Sequence, residues 1–248
     1  MTTLALLGYG RIGQRIDRLA KDEPDLKVLF AIDNFSQNAA DAAIPLIKTN
    51  AFEQTIGQTK PNVIIDFSHP DATMRIAPVA LSRGISMVVC TAGFTQVQHD
   101  YLKNIAGSAD AALLLAPNIT YGINLLMAFA KIAAKVLPGY DISITDYHFK
   151  QKKDCPSGTA LKLARELTDG GASPEVHGVR VGNIVGIHTV LIAGEQDQIE
   201  ITHQSYSKDI FARSALRAAK AIQGKKGFLE MKDIIGWQDI VAAVTDTR

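Results

Sequence analysis

The chain has 248 residues, 47% of them hydrophobic and 21% charged, with a formal net charge of +1. That is the composition of a globular protein with one large domain or two small ones, and it supplies no global basic field for nucleic acid. Cys90 and Cys155 are too few and too far apart for a zinc site or a disulfide framework, so no metal is expected and a reducing cytoplasm fits. The N-terminus has neither the basic start nor the apolar core of a signal peptide. No apolar stretch approaches the roughly 20 residues of a membrane span.

Leu4 to Leu7 reads as a short buried parallel strand. It ends at Gly8-Tyr9-Gly10-Arg11-Ile12-Gly13, and Ile12, Ile16, Leu19 and Ala20 follow at helical spacing. A GxGxxG between a strand and a helix is the dinucleotide fingerprint: Gly8 permits the tight turn, Gly10 admits a pyrophosphate, and Gly13 lets the helix pack closely. The helix N-terminus favours the anion. A second strand, Lys27 to Ile32, ends in Asp33, which stands where a carboxylate takes the adenosine ribose. Asn34 follows it rather than an arginine, which leans the cofactor toward NADH over NADPH, unless a cation arrives from elsewhere in the chain. The competing reading is a glycine-rich turn in an unliganded α/β domain.

Alternation continues with a short strand at Ile44–Ile47, a short helix at Ala51–Ile56, a strand at Val63–Phe67, a helix over 71–83 and a strand at Ser86–Cys90. A helix over 96–106 and a strand at Ala111–Leu115 complete it. This spacing predicts a parallel, doubly wound, Rossmann-like sheet, whose ligands sit beyond the carboxyl ends of the strands. Phe67, Ser68, Thr91, Ala92, Gly93, Ala116 and Asn118 are therefore candidates for the nicotinamide half, each with ordinary turn chemistry as its alternative. His69, in a strand-end loop, reads more readily as a loop residue than as a catalyst.

Thr120 to Leu137 reads as one long helix stopped by Pro138-Gly139, and a strand follows from Tyr140 to Tyr147. Alternation resembling an antiparallel sheet appears in Val176–Val181, Ile187–Ile192 and Gln198–His203, before a helix at Ile210–Ile222. A separate α+β lobe is expected.

The richest stretch runs from Asp146 to Ala160, where His148, Lys150, Lys152 and Lys153 precede Pro156-Ser157-Gly158-Thr159. Reducing a C=N or C=C bond conjugated to carboxylates needs a hydride donor, a proton donor and fixed cations. His148 suits the proton and Lys152 suits acid or clamp. Pro156 suits the first turn of a helix, whose N–H groups at Ser157, Gly158 and Thr159 would face an anion. The competing reading is a solvated basic loop ahead of an ordinary capped helix.

The run His148, Lys152, Asp154, then Pro156-Ser157-Gly158-Thr159-Ala160 resembles the signature of the 4-hydroxy-tetrahydrodipicolinate reductase (dihydrodipicolinate reductase) family. Ile65-Asp66-Phe67-Ser68, Thr91-Ala92-Gly93-Phe94, Ala116-Pro117-Asn118, Val185-Gly186-Ile187-His188-Thr189 and Ile199-Glu200-Ile201-Thr202-His203 add to the likeness. The resemblance implies a dinucleotide-binding domain from 1–118 plus 214–248, with a substrate-binding and oligomerisation domain inserted at 119–213. It implies a homotetramer, NADH or NADPH as hydride donor, and a small dicarboxylate substrate of lysine and diaminopimelate synthesis. His148 and Lys152 would be the catalytic pair, with Lys152, Ser157, Gly158 and Thr159 holding carboxylates. Phe149 stands where the family has a second, carboxylate-binding histidine, and Ala92 where it has a threonine. Asp146 replaces a usual glutamate, Ser143 another, and Cys155 a common alanine. Each lost polar contact weakens binding by roughly 1–3 kcal/mol unless Lys150 or Lys153 substitutes. A reductase of another cyclic imine acid, or a non-catalytic NAD(P)-binding protein, are the alternatives. The tail 238–248 extends beyond the expected end of the family.

Overall fold

The computed structural model describes residues 1–34 and 44–236, so Trp237 and the tail after it lie outside the described residues. The chain divides into two compact units, Met1–Ile119 with the chain from Phe211 onward, and Thr120–Ile210.

The first unit is a seven-stranded parallel sheet. Its strands are β1 (Thr2–Leu7), β2 (Leu26–Ile32), β3 (Leu46–Ile47), β4 (Val63–Asp66), β5 (Ser86–Val89), β6 (Ala112–Leu115) and β11 (Gly227–Leu229), in the order β11-β6-β5-β4-β1-β2-β3. Every pairing in it is parallel. The central strands are apolar on both faces, as burial under two layers of helices requires: β4, β5 and β6 are buried along their whole length. Helices α1 (Arg11–Ala20), α2 (Phe52–Gln58), α3 (Pro70–Ser82), α4 (Gln96–Gly107) and α7 (Asp209–Ala221) alternate with these strands. The core joins Leu7, Ile32, Ile64, Met87 and Leu113 of the sheet to Phe52, Ile76 and Leu102 of the helices. Strand β11 escaped the sequence reading. It has three residues, too few for a period, and is specified by its pairing with Ala112–Leu114.

The second unit packs α5 (Tyr121–Val136) and α6 (Gly158–Thr168) against a four-stranded sheet. The sheet comprises β7 (Asp141–His148), β8 (Glu175–Arg180), β9 (Gly186–Ala193) and β10 (Gln198–Ser205), in the order β10-β9-β7-β8. Strands β7, β9 and β10 pair antiparallel, but β8 runs parallel to β7. The expectation of an antiparallel arrangement is thus corrected at one strand: α6 lies between β7 and β8 and returns the chain to the end where β7 began. Register then sets one face. Ile142, Ile144, Val190 and Ile192 point into the core with Ile123, Leu126, Leu163 and Leu167. The same face continues, at the carboxyl end of β7, as Asp146 and His148.

The glycine loop shows why α1 sits where it does. Gly8 has φ +92° and a Cβ there would lie 2.7 Å from the Phe67 carbonyl oxygen. A Cβ at Gly13 would overlap the Gly8 carbonyl oxygen. Gly13→Ala is therefore expected to lower stability by about 1–3 kcal/mol, read as a shifted urea midpoint. Gly57→Ala, in α2 with no atom within 4 Å of the new Cβ, is expected to be neutral or slightly stabilising.

Candidate functional site

Two constellations stand out, one in each unit. In the first, the loop after β1 is open where an anion would enter: a Cβ at Gly10 meets nothing within 4 Å, and Gly10 is the N-cap of α1 without a side-chain cap. Asp33 Oδ2 accepts the Tyr9 N–H at 2.7 Å, which fixes the carboxylate at the edge of the loop. The Tyr9 ring is buried and its hydroxyl donates to Asp17 Oδ2 at 2.7 Å; burial, then Asp17, pushes the phenol pKa up. Arg11 is exposed beside Ile12, and Gly13 closes the turn.

Asp66 ties the neighbouring loops together, a role the sequence reading did not give it. Its carboxylate is fully buried at the end of β4. Oδ1 accepts the Ser68 N–H at 2.9 Å, the Ser68 hydroxyl at 2.6 Å and the Thr91 hydroxyl at 2.9 Å. Oδ2 accepts the Thr73 hydroxyl at 2.5 Å. Burial raises the pKa of Asp66 while these donors oppose the shift. Ser68 and Thr91 are thereby held side by side next to Phe67. Ala92 and Gly93 are exposed, Ala116 is buried, and Asn118 is half-buried. His69 is the N-cap of α3, its Nδ1 accepting the Asp71 N–H at 3.4 Å.

The second constellation grows from the register of the second sheet. Asp146 lies opposite Gly178 of β8 and His188 of β9, and His188 lies opposite His203 of β10. One residue pair along, His148 is opposite Arg180. Asp146 Oδ2 takes His148 Nδ1 at 2.7 Å and faces Arg180 Nη1 at 3.2 Å, while Oδ1 accepts the Ser157 N–H at 3.2 Å. Gly178 is required beside them: a Cβ would meet Cys155 Sγ at 2.5 Å and Asp146 Oδ1 at 3.2 Å. His148 Nε2 faces Gly186, where a Cβ would stand 3.1 Å away, so the glycine leaves that nitrogen clear. Burial lowers the His148 pKa below the usual histidine value, Asp146 raises it, and Lys152 and Arg180 reinforce the lowering.

Ser157 departs from expectation. Helix α6 starts at Gly158, so Pro156 precedes the N-cap instead of entering the first turn. The Ser157 hydroxyl accepts the Ala160 N–H at 3.2 Å and meets His188 Nε2 at 3.2 Å. Ser157 is buried and its N–H belongs to Asp146. Its side chain and N–H thus serve the interior, a consequence of β7 running beneath the helix start. Lys152 Nζ is held by Asp154 at 2.6 and 2.8 Å, and Asp154 Oδ2 also receives the Gly158 N–H at 3.4 Å. Lys152 keeps the Asp154 pKa below the usual carboxylate range. Lys208 Nζ lies 5.2 Å from the centroid of the Phe149 ring.

Asp146, His148 and His188 offer ligand atoms within 4.8 Å of one another. Arg180 and His148 already occupy the Asp146 oxygen that would hold an ion, so this donor set is built as a charge pair and not as a metal cage.

Comparison with known proteins gives a consistent result. The family described as "Dihydrodipicolinate reductase, N-terminus" matches residues 2–119, and "Dihydrodipicolinate reductase, C-terminus" matches 122–235. A 4-hydroxy-tetrahydrodipicolinate reductase of Methanosarcina barkeri is 34% identical over 95% of this chain and 100% of its own length. One from Ralstonia nicotianae is 35% identical over 92% of this chain and 96% of its own. A dipicolinate-bound dihydrodipicolinate reductase from Paenisporosarcina sp. TG-14 superposes with a TM-score of 0.82 at 23% identity, covering 93% of this chain and 97% of that one. The family models and the reductases matched over nearly the whole chain place it in the nucleotide-dependent oxidoreductase class. Within that class the chain belongs to the dihydrodipicolinate reductase family.

His188 provides a test of this architecture. Burial first, and the His148 charge second, pull its pKa from 6.5 down to about 4. The unfolded chain therefore binds a proton that the folded chain refuses, so the contribution is intact above about 6.5 and is lost as pH falls toward 4. At about 1.4 kcal/mol per unit the loss is of order 3 kcal/mol. His188→Gln, which keeps a partner for Ser157, is expected to shrink the difference in urea-unfolding free energy between pH 7 and pH 4.5. An unchanged difference would show that His188 does not carry it.

Proposed function

We infer that the chain reduces 4-hydroxy-tetrahydrodipicolinate to tetrahydrodipicolinate, with loss of water, using NADH or NADPH in lysine and diaminopimelate biosynthesis. The observation that carries the residue assignment is the position of Asp154. Its carboxylate rests on Lys152 Nζ and the Gly158 N–H, the donors that a substrate carboxylate would need. An exposed ion pair of this kind is worth about 0–1 kcal/mol, so an incoming carboxylate can displace it. Lys152 and the start of α6 at Gly158 and Thr159 are the proposed carboxylate site, with Ser157 as the cap that orients it.

When bound, the nucleotide would supply a hydride to the unsaturated ring. Gly8 to Gly13 would cradle its pyrophosphate, Asp33 its ribose, and Phe67, Ser68, Thr91, Ala92, Gly93, Ala116 and Asn118 its nicotinamide half. His148 provides the proton that completes the reduction. Because Nδ1 is tied to Asp146, the proton leaves from Nε2, and the ring can donate it only as the cation. Asp146 stabilises that cation and returns the ring to one orientation after transfer.

The half-exposed face of the second sheet, with Thr145, Tyr147, Thr189 and Leu191, is the proposed surface for assembly into a homotetramer. A cytoplasmic setting fits the reaction; no helix among the described residues is long and apolar enough to cross a membrane.

The direct test generates the substrate in place from pyruvate and aspartate semialdehyde with the preceding synthase, and follows nucleotide oxidation. Rapid oxidation that needs every component is expected; none, from folded protein that binds NADH, would overturn the reading. His148→Gln is expected to lower kcat about 10²–10⁴-fold, and turnover by Lys152→Ala should fall to near background. Since burial holds the His148 pKa low, kcat/KM should decline as pH rises through a value below the ordinary ~6.5. Asp146→Asn removes the charge that raises it and should move that limb lower still.

A further inference from the structure

The residue after Asp33 is Asn34, which carries no charge for an adenosine 2′-phosphate. The structure brings a cation to the same place from another strand. Lys48, directly after β3, donates from Nζ to the Asn34 carbonyl oxygen at 2.9 Å. The Thr49 N–H donates to Asn34 Oδ1 at 3.0 Å. These two bonds fasten the end of β2 to the end of β3, and they fix the lysine amine one residue from the ribose-binding carboxylate. Consecutive Cα atoms are about 3.8 Å apart, so an amine on Asn34 lies within a phosphate's reach of a ribose held by Asp33. One N–H of the ammonium is used by Asn34, and a lysine has three.

Beyond Lys48 the molecule opens into a cavity of about 750 Å³, lined by Asn34, Lys48, Phe52, Glu53, Arg75 and Ile76 among others. Lys48 and Arg75 are exposed, and among the described residues none forms an ion pair or hydrogen bond with the Arg75 guanidinium. The cavity therefore presents two cationic side chains, Lys48 and Arg75, above the buried Phe52 and Ile76. A phosphate suits these cations. Glu53 stands on the same rim and sets a limit on how many anions it tolerates.

We propose that this cavity is the adenosine 2′-phosphate site of NADPH, with Lys48 as the phosphate ligand beside Asp33 and Arg75 as the second cation. The inference rests on the dinucleotide reading above and assigns its nucleotide preference to β3 and α3 in place of the residue after Asp33. It reverses the lean toward NADH that Asn34 alone suggests.

The test separates nucleotide binding from turnover. Dissociation constants for NADPH, NADH, 2′,5′-ADP and 5′-AMP are measured by calorimetry on wild type, Lys48→Ala and Arg75→Ala. Both positions are exposed, so the variants should fold, and circular dichroism verifies this. In wild type, 2′,5′-ADP should bind at least tenfold tighter than 5′-AMP. The ratio of NADPH to NADH dissociation constants should rise at least tenfold in Lys48→Ala and several-fold in Arg75→Ala, and the effect should weaken with added salt. Equal binding of 2′,5′-ADP and 5′-AMP by wild type, or loss of both dinucleotides in equal proportion in Lys48→Ala, would overturn the proposal while leaving the dinucleotide reading intact. Wild-type protein that binds neither NADH nor NADPH would overturn the underlying reading, and this site with it.

Discussion

The second unit is organised around one buried carboxylate. Asp146 has no exposed surface, and an ion removed from water costs several kcal/mol unless its lone pairs are met. They are met by His148, Arg180 and the Ser157 N–H, and each donor constrains a different element. His148 must lie two residues along the same strand, on the same face. Arg180 comes from β8, which follows α6 and pairs parallel to β7. Ser157 must open α6 directly above β7, and Gly178 must leave room for Cys155 and Asp146. The imidazole that results is oriented at Nδ1 and clear at Nε2, the geometry that a proton donor requires.

The first unit solves an analogous problem with hydroxyls instead of cations. Asp66 is as buried as Asp146, but its donors are Ser68, Thr73 and Thr91. Burial raises the Asp66 pKa, and the hydroxyl hydrogen bonds only oppose that rise. What the arrangement achieves is geometric: the loops after β4 and β5 are tied at one atom pair. Ala92, immediately after Thr91, takes no part in that tie. Its loss of a hydroxyl relative to the family pattern therefore leaves the loop scaffold unaffected.

The parallel sheet was legible because its strands are continuous apolar runs punctuated by glycine and polar turns, a pattern that local sequence alone generates. The glycine loop, Asp33, His148 and Lys152 were legible because their chemistry is concentrated at short spacing. Arg180 and Lys208 were not, and His188 was legible only as part of a motif without a role, since each reaches the site through strand pairing or tertiary packing. Lys48 shows the same limit in the first unit: fourteen positions separate it from Asn34 in sequence, and only the pairing of β3 with β2 joins them. The Ser157 N–H was misread for a related reason. A helix start looks open to an anion in sequence, but here a protein carboxylate lies beneath it.

The site thus divides into a part that is fixed and a part that exchanges. Removing one partner of the buried Asp146 pair leaves an uncompensated charge, costing about 3–5 kcal/mol, so His148 and Arg180 are not available to leave it. The Lys152–Asp154 pair is solvated and weak, and Lys152 can pass from Asp154 to a ligand carboxylate with little penalty. The proposed reaction would use both behaviours, with His148 as an acid that does not move and Lys152 as a clamp that can. The sequence separates them by only a few residues, His148 at the end of a buried strand and Lys152 in the loop that follows, because the boundary between strand and loop is also the boundary between low and high dielectric.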